Sequence, residues 1–222
     1  MKIFIVIPLF NEEKHIAGVL REVLAYKLPV VVIDDGSRDR SKFKVQGLRL
    51  KGATLLEHGV NLGKGAAMKT GADYAFSHGA NAIIFMDSDG QHEAEDLPKF
   101  IKTLESGDSD VVFGTRNYNY GVPLIRYLGN KFASVVMASF FGVYVSDVIC
   151  GFKGMTREAY RKLKWESSGY GVEAEIVARL GKQKLSFCEV PVETIYHDKV
   201  KVVTILDAFG IFVEVLKWKL TL

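Results

Sequence analysis

The feature that most restricts the fold is a repeated order along the first half of the chain. A short apolar run is followed by an amphipathic stretch at helical spacing, and then by another apolar run. Ile3–Ile7 and Val30–Ile33 are apolar throughout rather than alternating, as strands buried on both faces are. Thr54–Glu57 reads as a weaker third strand, Ala82–Met86 as a fourth and Val111–Phe113 as a fifth. Between them Ile16, Val19, Leu20, Val23 and Leu24 recur at helical spacing behind a candidate cap, Asn11. Ala66–His78 and Leu97–Leu104 are the next two helices. Strand–helix alternation of this kind specifies an α/β fold with a doubly wound, mostly parallel sheet and helices on both faces. The 222 residues are 48% hydrophobic, enough to bury a sizeable core in one domain. Glycine (21) far outnumbers proline (5) and no low-complexity tract occurs, which excludes collagen-like or extensively disordered architecture.

The second half changes character. A polar, tyrosine-bearing loop follows Arg116, and then come fifteen uncharged residues, Phe132 to Ser146. A membrane-spanning helix needs about 20 apolar residues, so the expectation here is a buried or interfacial helix. Met1–Phe10 reads as a first strand rather than a signal peptide. In Thr204–Leu222, at ~100° per residue, Ile205, Leu206, Phe209, Phe212, Val213, Leu216 and Leu220 share one face, with Asp207 and Glu214 opposite. Trp218, Lys217 and Lys219 are residue types favoured at a membrane surface, so this end reads as an amphipathic interfacial helix. The alternative is an ordinary helix packed on the core. A net charge of +3 does not imply a nucleic-acid partner. Two cysteines, Cys150 and Cys188, do not make a disulfide framework and suit a reducing compartment.

Ligands of an open parallel sheet bind outside the carboxyl ends of its strands. At those ends the sequence places Pro8-Leu9-Phe10-Asn11-Glu12, Asp34-Asp35-Gly36-Ser37, Asn61-Leu62-Gly63-Lys64-Gly65, Asp87-Ser88-Asp89-Gly90-Gln91 and Gly114-Thr115-Arg116. Any one of these is ordinary turn chemistry. Five in succession on one sheet edge indicate a site. In Asp87-Ser88-Asp89, alternation along an extended backbone puts both carboxylates on one side and Ser88 on the other. Paired carboxylates raise each other's pKa unless a cation joins them, and hard oxygen donors select Mg²⁺ or Mn²⁺. The competing reading is a solvated acidic turn. No Cys or His cluster has zinc spacing. Gly63-Lys64-Gly65 precedes a helix, where backbone N–H groups and a lysine can meet an anion. It is neither a Walker loop nor a Gly-x-Gly-x-x-Gly after the first strand, which counts against a dinucleotide site.

With these motifs in this order, the chain resembles the family 2 glycosyltransferases. Within them it is most similar to the dolichyl-phosphate mannose and glucose synthases. The match runs from Lys2 to about Tyr196 and includes Asp147-x-x-Cys150-Gly151-Phe152-Lys153 and Val190-Pro191-Val192. The resemblance implies a GT-A fold over 1–196, with a nucleotide-sugar half (1–115) and an acceptor half (116–196), followed by a basic loop and the amphipathic helix (197–222). It implies that Pro8, Phe10, Glu12, Ile33 and Asp35 line the base and ribose site. Asp87, Ser88, Asp89 and Gln91 would hold the diphosphate and its Mg²⁺ or Mn²⁺, with Asp87, Asp89 and Gln91 as metal ligands and Lys64 beside them. The implied reaction moves a hexose from GDP-mannose or UDP-glucose to a polyprenyl phosphate, with inversion, at the cytoplasmic face of the membrane.

A lipid phosphate is already an anion and needs cations rather than a general base. Arg116 and Arg126 are the candidates, because a guanidinium presents a fork suited to phosphate. Where the mannose synthases carry an arginine-containing basic loop, this chain has Tyr196-His197-Asp198-Lys199-Val200-Lys201, so Lys199 and Lys201 supply the charge there. A hydroxyl acceptor would instead need a base, for which Glu173 and Glu175 are the candidates; either could equally cap or solvate its helix. A non-catalytic sugar-nucleotide-binding module is the remaining alternative. A nucleotidyltransferase would be expected to carry a glycine-rich, arginine-containing loop where this chain has Pro8-Leu9-Phe10-Asn11.

Overall fold

The computed structural model describes residues 1–48, 52–116, 124–195 and 205–222, the side chains of 124–126 and 205–209 excepted. Strands β1 (Ile3–Leu9), β2 (Val30–Asp34), β3 (Ala53–Glu57) and β4 (Ala82–Phe85) are parallel neighbours in the order β3-β2-β1-β4. Their register pairs Leu9 with Asp34 and Asp34 with Glu57, so three strand ends stop at one level. The polar clusters of the sequence therefore stand side by side along one edge.

Side-chain alternation divides the core between the two faces of the sheet. Val31 and Ile33 point to one side, with Val6, Phe85 and Phe113; Val30 and Val32 point to the other, with Ile5, Ile7 and Ile84. The second face is covered by α1 (Ile16–Leu24) and α4 (Leu97–Ser106) through Val19, Leu20, Leu97 and Phe100. The first is covered by α3 (Lys64–Ser77), α5 (Leu124–Phe141), α6 (Arg157–Leu163), α7 (Val172–Gln183) and α8 (Ile205–Thr221). Full burial of each of these valine, isoleucine and phenylalanine side chains contributes about 1.5–3 kcal/mol relative to exposure. Gly71 lets α3 lie directly on the sheet, since a Cβ there would meet Ile33 Cδ1 at 2.5 Å.

The remaining strands depart from simple alternation. β5 (Val111–Arg116) does not touch β4. Between them runs β6 (Lys153–Thr156), antiparallel to both, and β7 (Phe187–Val192) lies parallel to β5 at the edge. The whole sheet reads β3-β2-β1-β4-β6-β5-β7, six strands in one direction and one against. A short helix α2 (Ser41–Gly47), for which the sequence offers no strong periodic signal, follows β2.

Three local expectations are corrected. Asn11 is not a helix cap. It sits at φ 54°, its Oδ1 accepts from the Arg38 N–H at 2.8 Å, and α1 begins only after His15. The uncharged run 132–146 is not one helix: α5 starts earlier and ends at Phe141, where Gly142 turns at φ 68°. Trp218 is not a surface anchor. With Ile211 and Val215 it forms the stripe by which α8 packs on the core, near Gly171. The face that looks outward includes Leu216 and Leu220, the latter 88% exposed, and Phe212 meets Phe132 of α5. Leu128, Phe132 and Val135 of α5 are exposed as well. Among the described residues no helix is long and apolar enough to cross a membrane.

Candidate active site

A cleft of about 540 Å³ opens over the carboxyl ends of β1, β2 and β3. Phe10, Asp34, Ser37, Arg38 and His58 are in its lining. Of the five residues expected at a base and ribose site, only Phe10 is there. Pro8 remains in β1, paired with Ile33, and Ile33 is a core side chain facing α3. The Glu12 carboxylate turns to His15 Nδ1 at 3.0 Å. Asp35 points inward: its carboxylate accepts from the Leu62 and Gly63 N–H groups at 2.9 and 2.8 Å and lies 2.7 Å from His58 Nδ1. Alternation explains the exchange, because adjacent residues past the end of β2 face opposite ways and only Asp34 looks into the opening. His58 was not singled out in the sequence; its place directly after β3 was the available signal.

Asp35 thereby builds the neighbouring loop. Its two backbone contacts hold Gly63, whose φ of 97° suits glycine, at the start of α3. The loop is clamped from the other side by Ser168 O, which accepts from the Ala66 N–H at 3.1 Å, and by Trp165 Nε1, which donates to Gly65 O at 2.9 Å. A Cβ at Gly63 would fall 2.5 Å from Ser168 O. So held, the first residue of α3 sends its side chain along the sheet edge. Lys64 Nζ lies 2.8 Å from Asp87 Oδ1 and 2.8 Å from Glu173 Oε1.

Asp87 and Asp89 are both part-buried and Ser88 is buried, as alternation requires. The loop carrying them is pinned by His92, whose Nδ1 accepts from the Asp87 N–H at 3.3 Å. His92 is a further site residue that no sequence pattern marked. Asp89 accepts from the Gln91 N–H at 3.0 Å and from Gln91 Nε2 at 2.6 Å, so the Gln91 amide, expected as a third metal ligand, is here bonded to Asp89. The two carboxylates differ electrostatically. Burial alone would raise the Asp87 pKa, but the charges of Lys64 and His92 outweigh it and hold Asp87 at about 2. Burial and then the charge of Asp87 push Asp89 above the usual carboxylate range. Among the described residues no cation pairs with Asp89. No cluster of three or more His, Cys, Asp or Glu there is arranged for a metal. Two oxygen donors, one of them uncompensated, still fit Mg²⁺ or Mn²⁺, which bind through one or two carboxylates plus substrate phosphates.

The other candidates are placed differently. Arg116 does not offer its fork to a ligand: Nε and Nη2 donate to Asp147 Oδ2 and Oδ1 at 2.7 and 2.8 Å, a two-point ion pair with a fully buried carboxylate. Glu175 accepts from the Glu166 and Ser167 N–H groups and from Arg179 Nε, at 2.9, 2.7 and 2.6 Å, and so ties the loop before α7 to the first turn of that helix. Burial raises its pKa, but these bonds outweigh it and the net shift is downward. The side chain of Arg126, and Lys199 and Lys201 entirely, lie outside the described residues. Cys150 and Cys188 are free thiols, and burial pushes that of Cys150 up to about 12.

The mostly parallel sheet, with a cleft over its carboxyl edge and two carboxylates just past β4, is a GT-A-like fold that agrees with solved glycosyltransferase structures. Glucosyl-3-phosphoglycerate synthase from Mycobacterium tuberculosis, in complex with Mn²⁺, UDP and phosphoglyceric acid, superposes with a TM-score of 0.78. It is 18% identical in sequence, over 98% of this chain and 78% of that one. The chain belongs to glycosyl transferase family 2, whose family model matches residues 4–164. Among its relatives is the UDP-N-acetylglucosamine–dolichyl-phosphate N-acetylglucosaminyltransferase of Methanococcus voltae, 27% identical over 98% of this chain and 96% of that protein. Another is the polyprenol monophosphomannose synthase of Mycolicibacterium smegmatis, 26% identical over 85% and 75%.

Proposed function

We propose that this glycosyltransferase transfers a hexose from a nucleoside diphosphate sugar, GDP-mannose or UDP-glucose, to a polyprenyl phosphate, with inversion at the anomeric carbon. The observation that carries the reading is the juxtaposition along one edge: a nucleoside-sized cleft over β1–β3, then Lys64, then Asp87 and Asp89 just past the end of β4. The cleft takes the nucleoside, with Phe10 against its base or ribose and Asp34 as a polar partner; His58, its ring nitrogens held by Asp35 and Thr70 Oγ1, shapes the wall. The diphosphate then reaches the end of β4, where Asp87 and Asp89 hold Mg²⁺ or Mn²⁺ and Gln91 keeps Asp89 turned toward it. The ion, when bound, stabilises the negative charge that develops on the departing diphosphate. His92 and the clamped Gly63–Gly65 loop keep these groups in place, which is the part of catalysis a fold supplies.

A phosphate acceptor is favoured over a hydroxyl acceptor by the state of the two glutamates. Glu173 is paired with Lys64 and Glu175 with three N–H donors, so neither is poised to take a proton. Cations for the acceptor phosphate come from Arg126, Lys199 and Lys201, while Arg116 positions Asp147. The exposed apolar side chains of α5 and α8, flanked by Lys217 and Lys219, support peripheral docking at the cytoplasmic face of a membrane. The test is a donor panel with polyprenyl phosphate and Mg²⁺ or Mn²⁺, the product being extracted into organic solvent. Asp89→Ala should lower turnover by roughly a thousandfold; near-normal turnover would reject the assignment.

A further inference from the structure

Lys64 occupies an unusual place. Its Cα is fixed by the two glycines on either side and by the Asp35, Ser168 and Trp165 contacts, so only its side chain has freedom. The ammonium bridges Asp87 and Glu173 at 2.8 Å each. The Asp87 carboxylate packs directly over Gly151, where there is no room even for a methyl group, so it cannot shift to that side. Lys153, fully buried in β6 and close enough to Glu173 to feel its charge, has an Nζ with no hydrogen-bond partner among the described residues. Of the two carboxylates at the end of β4, one therefore already has a cation and the other has none among the described residues.

We infer that Lys64 is a positioning residue that serves as the resident counter-ion of Asp87 and makes divalent-ion binding depend on the donor. This deepens the assignment of Asp87 and Asp89 to a metal–diphosphate site and rests on it. A divalent ion arriving alone must share Asp87 with an ammonium a few ångströms away, a like-charge contact worth about a few kcal/mol at the effective dielectric of a protein surface. A nucleoside diphosphate removes the conflict, because its oxygens offer Lys64 a second anionic partner while Glu173 keeps the other side of the ammonium. Ion and nucleotide then bind synergistically, each raising the affinity of the other by the same factor.

The test uses Mn²⁺ alone, followed by electron paramagnetic resonance of the free ion, with and without UDP or GDP. Wild-type protein should bind Mn²⁺ weakly by itself and at least about tenfold more tightly with the nucleotide. Lys64→Met should bind Mn²⁺ alone at least about tenfold more tightly than wild type, yet bind the nucleotide more weakly in the presence of Mn²⁺. That opposite pair of changes is what a merely structural lysine would not produce. Glu173→Gln, which leaves the ammonium to Asp87 alone, should weaken Mn²⁺ binding further and serves if Lys64→Met fails to fold. Equal Mn²⁺ affinity in wild type and Lys64→Met, or in wild type and Glu173→Gln where that variant stands in, overturns the inference. Mn²⁺ binding with nucleotide that survives Asp89→Ala would instead overturn the site assignment, so the two failures are distinguishable.

Discussion

Gly151→Ala isolates the position of a single carboxylate. Gly151 has a backbone conformation that alanine can adopt, since it is absent from the residues with positive φ. An added Cβ, however, would lie 2.6 Å from Asp87 Cγ and 2.8 Å from Oδ1, with Oδ2 closer still. Ordinary contact begins near 3.4 Å, so the carboxylate must retreat by roughly an ångström. The atoms in the way are the end of a side chain rather than backbone, which makes the retreat inexpensive for the fold. A displacement of that size at a reacting centre can cost about a hundredfold in rate. The expected result is a thermal midpoint near that of wild type, within about 1 kcal/mol, with turnover of nucleotide sugar down about a hundredfold. Turnover within about threefold of wild type would refute the claim that Asp87 must stand where it does. Loss of the folded state would refute the claim that only the side chain yields.

Two further outcomes follow from buried pairs outside the cleft. Arg116→Ala strips the fully buried Asp147 of its guanidinium and should cost about 3–5 kcal/mol in urea unfolding; a loss under about 1 kcal/mol would show that the pair does not stabilise the fold. Glu175→Gln should lower stability at neutral pH. Because the folded pKa of Glu175 is depressed, its contribution is present above its unfolded value, 4.5, and is lost as pH falls through the folded value. The stability gap between wild type and Glu175→Gln should therefore narrow on acidification below pH 4.5; a gap that widens there would contradict the assigned role.

The sequence carried most of the fold and the outline of the site. Val31 and Ile33 against Val30 and Val32 form a strand because β-branched side chains suit a sheet covered on both sides, and that signal is local. The Asp87-Ser88-Asp89 pattern was legible for the same reason, since alternation fixes which way neighbouring side chains point. What escaped was settled by partners distant in the chain. Nothing near Lys153 announces a central strand: the segment Lys153-Gly154-Met155-Thr156 holds a lysine and a glycine, and is a strand because Phe85 and Phe113 pair with it on either side. The inward turn of Asp35 depends on Leu62 and Gly63, and the occupation of Arg116 depends on Asp147, 31 residues away. A carboxylate or guanidinium read alone looks available; only the folded chain shows which ones are already spent.

The reversed strand β6 also limits how such an enzyme can diversify. Its residues lie in the stretch after Arg116, yet they are wedged between β4 and β5 and pair with both. Cutting the chain after β5 would leave that strand with no neighbour, because both of its pairing partners come later. Any exchange of the chain after β5 therefore also replaces the strand that stitches the middle of the sheet, and must restore its pairing with β4 and β5.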